Sequence, residues 1–101
     1  MKYTGKEIVS RIRFHVKKRG GTASSWFIGV SAEPRQTLFE RHAVRKKGDY
    51  WILARARSSA VAEKVKLFLA TKLGMTLVPE SVEKADFVYA YRKTAPTGAQ
   101  G

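Results

Sequence analysis

Residues 50–74, YWILARARSSAVAEKVKLFLATKLG, change their hydrophobic period half-way along. From Tyr50 to Arg57 the residues favour β structure and alternate, so Tyr50, Ile52, Ala54 and Ala56 share one face of a strand. Trp51, Leu53, Arg55 and Arg57 take the other face. Ser58-Ser59 suits a turn and a helix cap. From about Ser59 to Leu73 the spacing becomes helical, with Val61, Val65, Phe68 and Leu69 as the expected buried stripe and Gly74 as the stop. Lys64, Lys66 and Lys72 fall on the polar side of this third and longest helix.

Working outward, the same alternation of elements recurs. Thr4-Gly5-Lys6-Glu7 matches a capping box, and Ile8, Ile12, His15 and Val16 follow at helical spacing until Gly20-Gly21. Lys17, Lys18 and Arg19 fall in the last turn, where cations suit the helix dipole. Trp26 to Val30 is short, apolar and flanked by serines, which predicts a buried strand. Pro34 suits the first turn of a short second helix carrying Leu38, Phe39 and His42 on one side. Arg45 to Asp49 is a charged turn. Met75 to Ala85, with Pro79, reads as a loop, and Asp86 to Lys93 alternates Phe87, Tyr89 and Tyr91 against Val88 and Ala90 as a last strand. The expectation is an α+β, two-layer sandwich in the order αβαβαβ, a small three-stranded sheet packed by helices and covered mainly on one face. One domain is expected over residues 1–93, with a disordered Pro- and Gly-containing tail at 94–101. Strand order and oligomeric state are left open.

Composition narrows what such a domain does. Twenty Lys and Arg against eight Asp and Glu give a formal charge of +12, well beyond the magnitude of about 2 to 8 usual for a small soluble domain. A folded body with that excess repels itself, and a polyanion such as nucleic acid relieves the repulsion. Cysteine is absent, so neither disulfides nor a thiolate zinc site hold the fold. Lys6, Glu7, Arg11 and Arg13 interrupt the N-terminal residues as a signal sequence, and no run approaches the roughly 18 apolar residues of a membrane span. The expected location is cytoplasmic, nucleoid association included, with no membrane partner and no small-molecule substrate.

Phe27-Ile28-Gly29, followed by Pro34, Leu38, Phe39, Glu40 and His42, resembles the second half of the GIY-YIG nuclease superfamily. The order strand, helix, strand, helix from Trp26 to Leu73 fits that family over about half the chain. The family's first strand is missing before Trp26. A circular permutation would supply it from Phe87-Val88-Tyr89-Ala90-Tyr91 at the other end.

The departures bear on catalysis. The resemblance assigns a catalytic tyrosine to Phe27, which has no hydroxyl, and an arginine to Thr37. It assigns the metal-holding carboxylate to Lys66, where a cation repels a divalent ion, and Glu63 points nearly opposite the apolar stripe. His42 is the family-like polar residue that survives. Like His15, it also fits a plain structural role.

The cations Lys17, Lys18, Arg19, Arg35, Arg41, Arg45, Lys46, Lys47, Arg55, Arg57 and Lys66 are therefore read as phosphate contacts. Trp51, Tyr89 and Tyr91 are candidates for stacking on unpaired bases, and equally for core. The leading expectation is a non-catalytic domain that binds the phosphate backbone of DNA or RNA with low sequence specificity and needs no cofactor. A Mg²⁺-dependent endonuclease using His42, Tyr89 and either Arg35 or Arg41 is the enzymatic alternative, and a module for an acidic protein partner is the third.

Overall fold

A computed structural model describes residues 2–78 and 84–93. The expected tail and part of the loop before the last strand lie outside the described residues. Helix α1 spans Gly5–Arg19, and its capping box is complete: the Thr4 N–H donates to Glu7 Oε1 at 2.8 Å and the Glu7 N–H donates to Thr4 Oγ1 at 3.1 Å. Two orphan donors of the first turn are thereby satisfied. Strand β1 is Phe27–Ser31, and a short helix α2, Pro34–Gln36, widens into a π-helical turn over Thr37–Arg41. Strand β2 is Tyr50–Arg55, helix α3 is Ser59–Lys72, β3 is Thr76–Leu77 and β4 is Phe87–Arg92.

The α+β sandwich expected from the sequence is the observed class, with a four-stranded mixed sheet in the order β2-β4-β1-β3. The fourth strand, β3, lies in the stretch read as loop. At two residues it is too short to show a period, and tertiary hydrogen bonds hold it: the Thr76 N–H donates to Trp26 O and the Val78 N–H to Ile28 O. The last strand in sequence is central in space. β4 pairs antiparallel with β1, Gly29 opposite Tyr89, and antiparallel with β2, Leu53 opposite Tyr89. β1 and β2 therefore run parallel to each other with β4 between them.

Alternation then sorts the side chains. Ile28, Val30, Ala54, Val88 and Ala90 face α1 and α3, where Ile8, Ile12, Val65 and Leu69 complete the main core. Each fully buried aliphatic side chain there contributes about 1.5 to 3 kcal/mol of transfer free energy. Trp26, also fully buried, closes one end of this core. On the opposite face Tyr89 and Tyr91 pack with Leu38, Val44 and Val78, flanked by Phe27, Phe39, Trp51 and Leu53. The short α2 segment thus covers part of the second face.

Helix α3 buries Val65 and Leu69 of its expected stripe but is rotated so that Ala62 and Lys66 go inward with them, leaving Val61 partly buried and Phe68 43% exposed. Small Ala62 suits close approach to the sheet. Lys66 tolerates burial because its Nζ lies 2.9 Å from Glu63 Oε2. No helix among the described residues is long and apolar enough to cross a membrane.

Candidate functional site

Two neighbouring features of the sheet's second face and its end bear on function. The first is built on β4, β1 and the π-helical turn. Its wide spacing carries the His42 N–H to Thr37 O at 3.0 Å, and Ala43 follows at a φ of 54°. Such turns bring one side chain out of helical register. Here His42 swings over the sheet, its Nε2 2.9 Å from Tyr89 Oη and its ring stacked on Tyr91 at 5.1 Å. Tyr89 reaches that hydroxyl by lying across Gly29. A Cβ at position 29 would sit 2.6 Å from Tyr89 Oη and 2.7 Å from Cζ, so only glycine leaves room. Phe27 stacks on Tyr91 at 5.0 Å. The Thr37 hydroxyl donates to Glu33 O at 2.9 Å and lies 2.7 Å from Ser31 Oγ.

This cluster is buried. Tyr89 is 1% exposed and Tyr91 6%, so neither ring offers a face to a nucleic-acid base. Of the three aromatics considered for stacking, Trp51 alone is half-buried, on an edge strand. Helix α3 packs on the opposite face of the sheet, so Glu63 and Lys66 do not face the Tyr89–His42 pair. Among the described residues no three His, Cys, Asp or Glu side chains converge, and a divalent ion finds no ready ligand set.

The second feature lies where α1 ends, β2 begins and β4 ends. Opposite Tyr50 in the ladder stands Arg92, whose guanidinium carbon is 5.5 Å from the Tyr50 ring centroid, and Arg19 lies over the same ring at 5.4 Å. Arg92 Nη1 donates to Gly20 O at 3.2 Å, which ties β4 to the end of α1. Arg35 lies 6.0 Å over Trp51, and Lys46 Nζ 5.0 Å over Phe39. Cation and ring attract most where water is excluded. A small pocket of about 250 Å³ opens here between His15, Arg19, Lys46, Asp49, Tyr50 and Trp51.

The structure brings Arg19, Arg35 and Lys46 of the expected cations to this end and separates others. Lys18 and Arg19 end α1 while Lys17, in the same turn, lies beside Arg13, Phe14 and Leu73; Arg35 follows Pro34 in α2, and Lys46 and Lys47 occupy the exposed turn before β2. Arg45 belongs to that turn and pairs with buried Asp49 at 3.2 Å. Arg41 sits to one side, beside Ser31, Glu33 and Thr37. Arg55 lies at the far end of β2, bonded to Asp86 at 2.8 Å, with exposed Arg57 beyond it. Lys66, read from the sequence as a phosphate contact, is 6% exposed and paired with Glu63, and so is withdrawn from the surface.

The chain matches no family model, no curated protein and no solved structure. Two contributors to the cationic end escaped the sequence reading, Arg92 and Tyr50. Their signal is β alternation carried one residue further, which sets Arg92 on the face of Val88 and Ala90, beside Tyr50.

His15 marks the boundary of this end. Its ring meets Trp26 edge-on at 5.5 Å, and its buried Nε2 has no hydrogen-bond partner. Burial first, then repulsion from Arg19 and Lys18, holds its pKa below the ordinary imidazole value, so it stays neutral at pH 7.

Proposed function

We propose that this chain is a non-catalytic nucleic-acid-binding domain on a GIY-YIG-like scaffold, holding the phosphate backbone through counterion release with little sequence specificity. The observation that carries the reading is the gathering of Arg19, Arg35, Lys46 and Arg92 around Tyr50 and Trp51, with Lys18 acting on His15 at the same end. These stand on a body of charge +12. Lysines and arginines so grouped act on one stretch of backbone, and half-buried Trp51 adds a ring edge beside them for an unpaired base. Fluorescence anisotropy with labelled single-stranded and duplex DNA and RNA tests it. Complexes of micromolar affinity or tighter at low salt are expected, weakening roughly 500-fold over a fourfold rise in salt if about five phosphates are neutralised. Absent or salt-insensitive binding to all four ligands is the contrary result.

A second reading, a metal-dependent endonuclease, draws on one specific observation. β4 lies antiparallel beside β1, with Tyr89 across Gly29 and bonded to His42, so the last strand neighbours the Phe27-Ile28-Gly29 strand, where a circular permutation would put it. Three facts favour the non-catalytic reading over it. The Tyr89 ring is buried, Phe27 lacks a hydroxyl, and no three His, Cys, Asp or Glu side chains form a metal-holding group among the described residues. Incubating nicked, branched and single-stranded DNA with Mg²⁺ or Mn²⁺ separates the two. Cleavage that disappears in His42→Ala supports the nuclease, and none above that control removes it.

A further inference from the structure

On the side of the helix layer turned away from the sheet, α1 and α3 leave an apolar groove. Gly5 sets its width, since a Cβ there would meet Val65 Cγ2 at 3.4 Å and Val61 Cγ1 at 3.5 Å. Val9, Val61, Val65 and Phe68 line a cavity of about 440 Å³ at this end. Phe14 and Leu73 border a second hollow further along. The two helices start together and end together, so the groove follows α1 from Gly5 to Lys17, about 18 Å or three helical turns at 1.5 Å per residue. Phe14 is 68% exposed and Phe68 43%, although the core lies one helix face away. Two such aromatics beside one apolar groove mark a contact surface rather than scattered exposure.

Cations rim the groove. Lys6 and Lys64 flank the first cavity, and Arg13 and Lys17 the second. The same Lys and Arg on a second copy of this +12 chain would meet them face to face, which disfavours self-association. Nucleic acid presents phosphates but no apolar ridge to fill the floor. A concave trough between two helices fits a rod better than it fits a flat lipid surface.

We infer that the groove between α1 and α3 docks an acidic amphipathic helix of a partner protein. Its apolar stripe lies between Val9, Phe14 and Phe68, and its carboxylates meet Lys6, Arg13, Lys17 and Lys64. This surface is separate from the cationic end around Trp51, so the inference stands whether or not that end binds nucleic acid.

The test is an amide NMR titration of the full chain with a synthetic helical peptide bearing Leu and Phe at i, i+3, i+4 and i+7 and Glu on its flanks. A peptide with Lys in place of Glu serves as control. Shifts confined to residues 5–17 and 61–73 are expected for the acidic peptide, and none for the basic one. Phe68→Ser weakens the complex roughly tenfold, the loss expected for one truncated aromatic anchor. Because Phe68 is exposed, the thermal midpoint should hold. Lys6→Glu with Lys64→Glu leaves two cations against two carboxylates on the rim and abolishes the preference for the acidic peptide. Four results overturn the inference: equal binding of both peptides, shifts centred on Trp51 instead, dilution-dependent shifts in the groove that betray a second copy, or Phe14-dependent binding to anionic vesicles without binding to the peptide.

Discussion

Replacing Gly29 by alanine tests the packing on which the second face of the sheet depends. The added methyl would lie 2.6 Å from Tyr89 Oη, 2.7 Å from Cζ and 3.0 Å from Cε2. Tyr89 cannot swing away cheaply, because it is 1% exposed, stacked on Tyr91 and bonded to His42. Overpacking of this kind costs about 1 to 3 kcal/mol. Displacing the hydroxyl from His42 adds about 1 kcal/mol. Alanine returns about 0.4 to 1 kcal/mol by restricting the unfolded chain. The net expectation is a loss of about 2 kcal/mol, read by urea unfolding as a lower midpoint at unchanged slope. In a Tyr89→Ala background the obstacle is gone, and Gly29→Ala should then be neutral or mildly stabilising. Equal costs in both backgrounds, or less than about 0.5 kcal/mol in the wild type, would refute the close approach of Tyr89 to Gly29.

Other perturbations follow from single side chains. Ala43 sits at a φ of 54°, a left-handed conformation that costs a residue with a Cβ about 1 kcal/mol, so Ala43→Gly should raise stability by up to that amount in the same unfolding assay. His15 has a depressed pKa in the folded state, so the unfolded chain takes up the proton first as pH falls. Stability should therefore decline below about pH 6.5, the ordinary imidazole value, and level off only below the folded pKa. His15→Phe should lose that part of the slope in melts from pH 8 to 5, and identical slopes would contradict the burial of Nε2. Lys66→Met keeps volume and removes a buried ion pair, so stability should stay within about 1 kcal/mol of wild type. Nucleic-acid affinity should not change, and a loss comparable to that of Arg19→Ala would mean that Lys66 reaches the ligand.

Local chemistry made much of this fold legible. The capping box at Thr4 and Glu7, the faces of β2 and the alternation of β4 are local codes, and each appears as expected because packing agrees with propensity there. Helix α3 shows the limit. Apolar residues surround much of its circumference, so Val65 and Leu69 share a helical stripe equally well with Val61 and Phe68 or with Ala62, and contact with the sheet decides between them. β3 depends on hydrogen bonds to Trp26 and Ile28, residues about fifty positions away, and no local signal encodes it. The π-helical turn that delivers His42 to Tyr89 is likewise set by what it covers. The charge total was readable at once. Which cations share an end of the sheet required knowing that β4 inserts between β1 and β2, bringing Arg92 to Tyr50 and Arg19.

The slope of log K against log salt for a short DNA duplex measures the proposed phosphate contacts directly. For about five contacts it should lie near −4.5, and converting Arg19, Arg35 and Lys46 together to alanine should make it shallower by about 3. Arg55→Ala with Arg57→Ala, at the far end of β2, should leave it nearly unchanged. A slope near zero, or equal losses from both sets of substitutions, would contradict a coherent cationic surface at the Tyr50–Trp51 end.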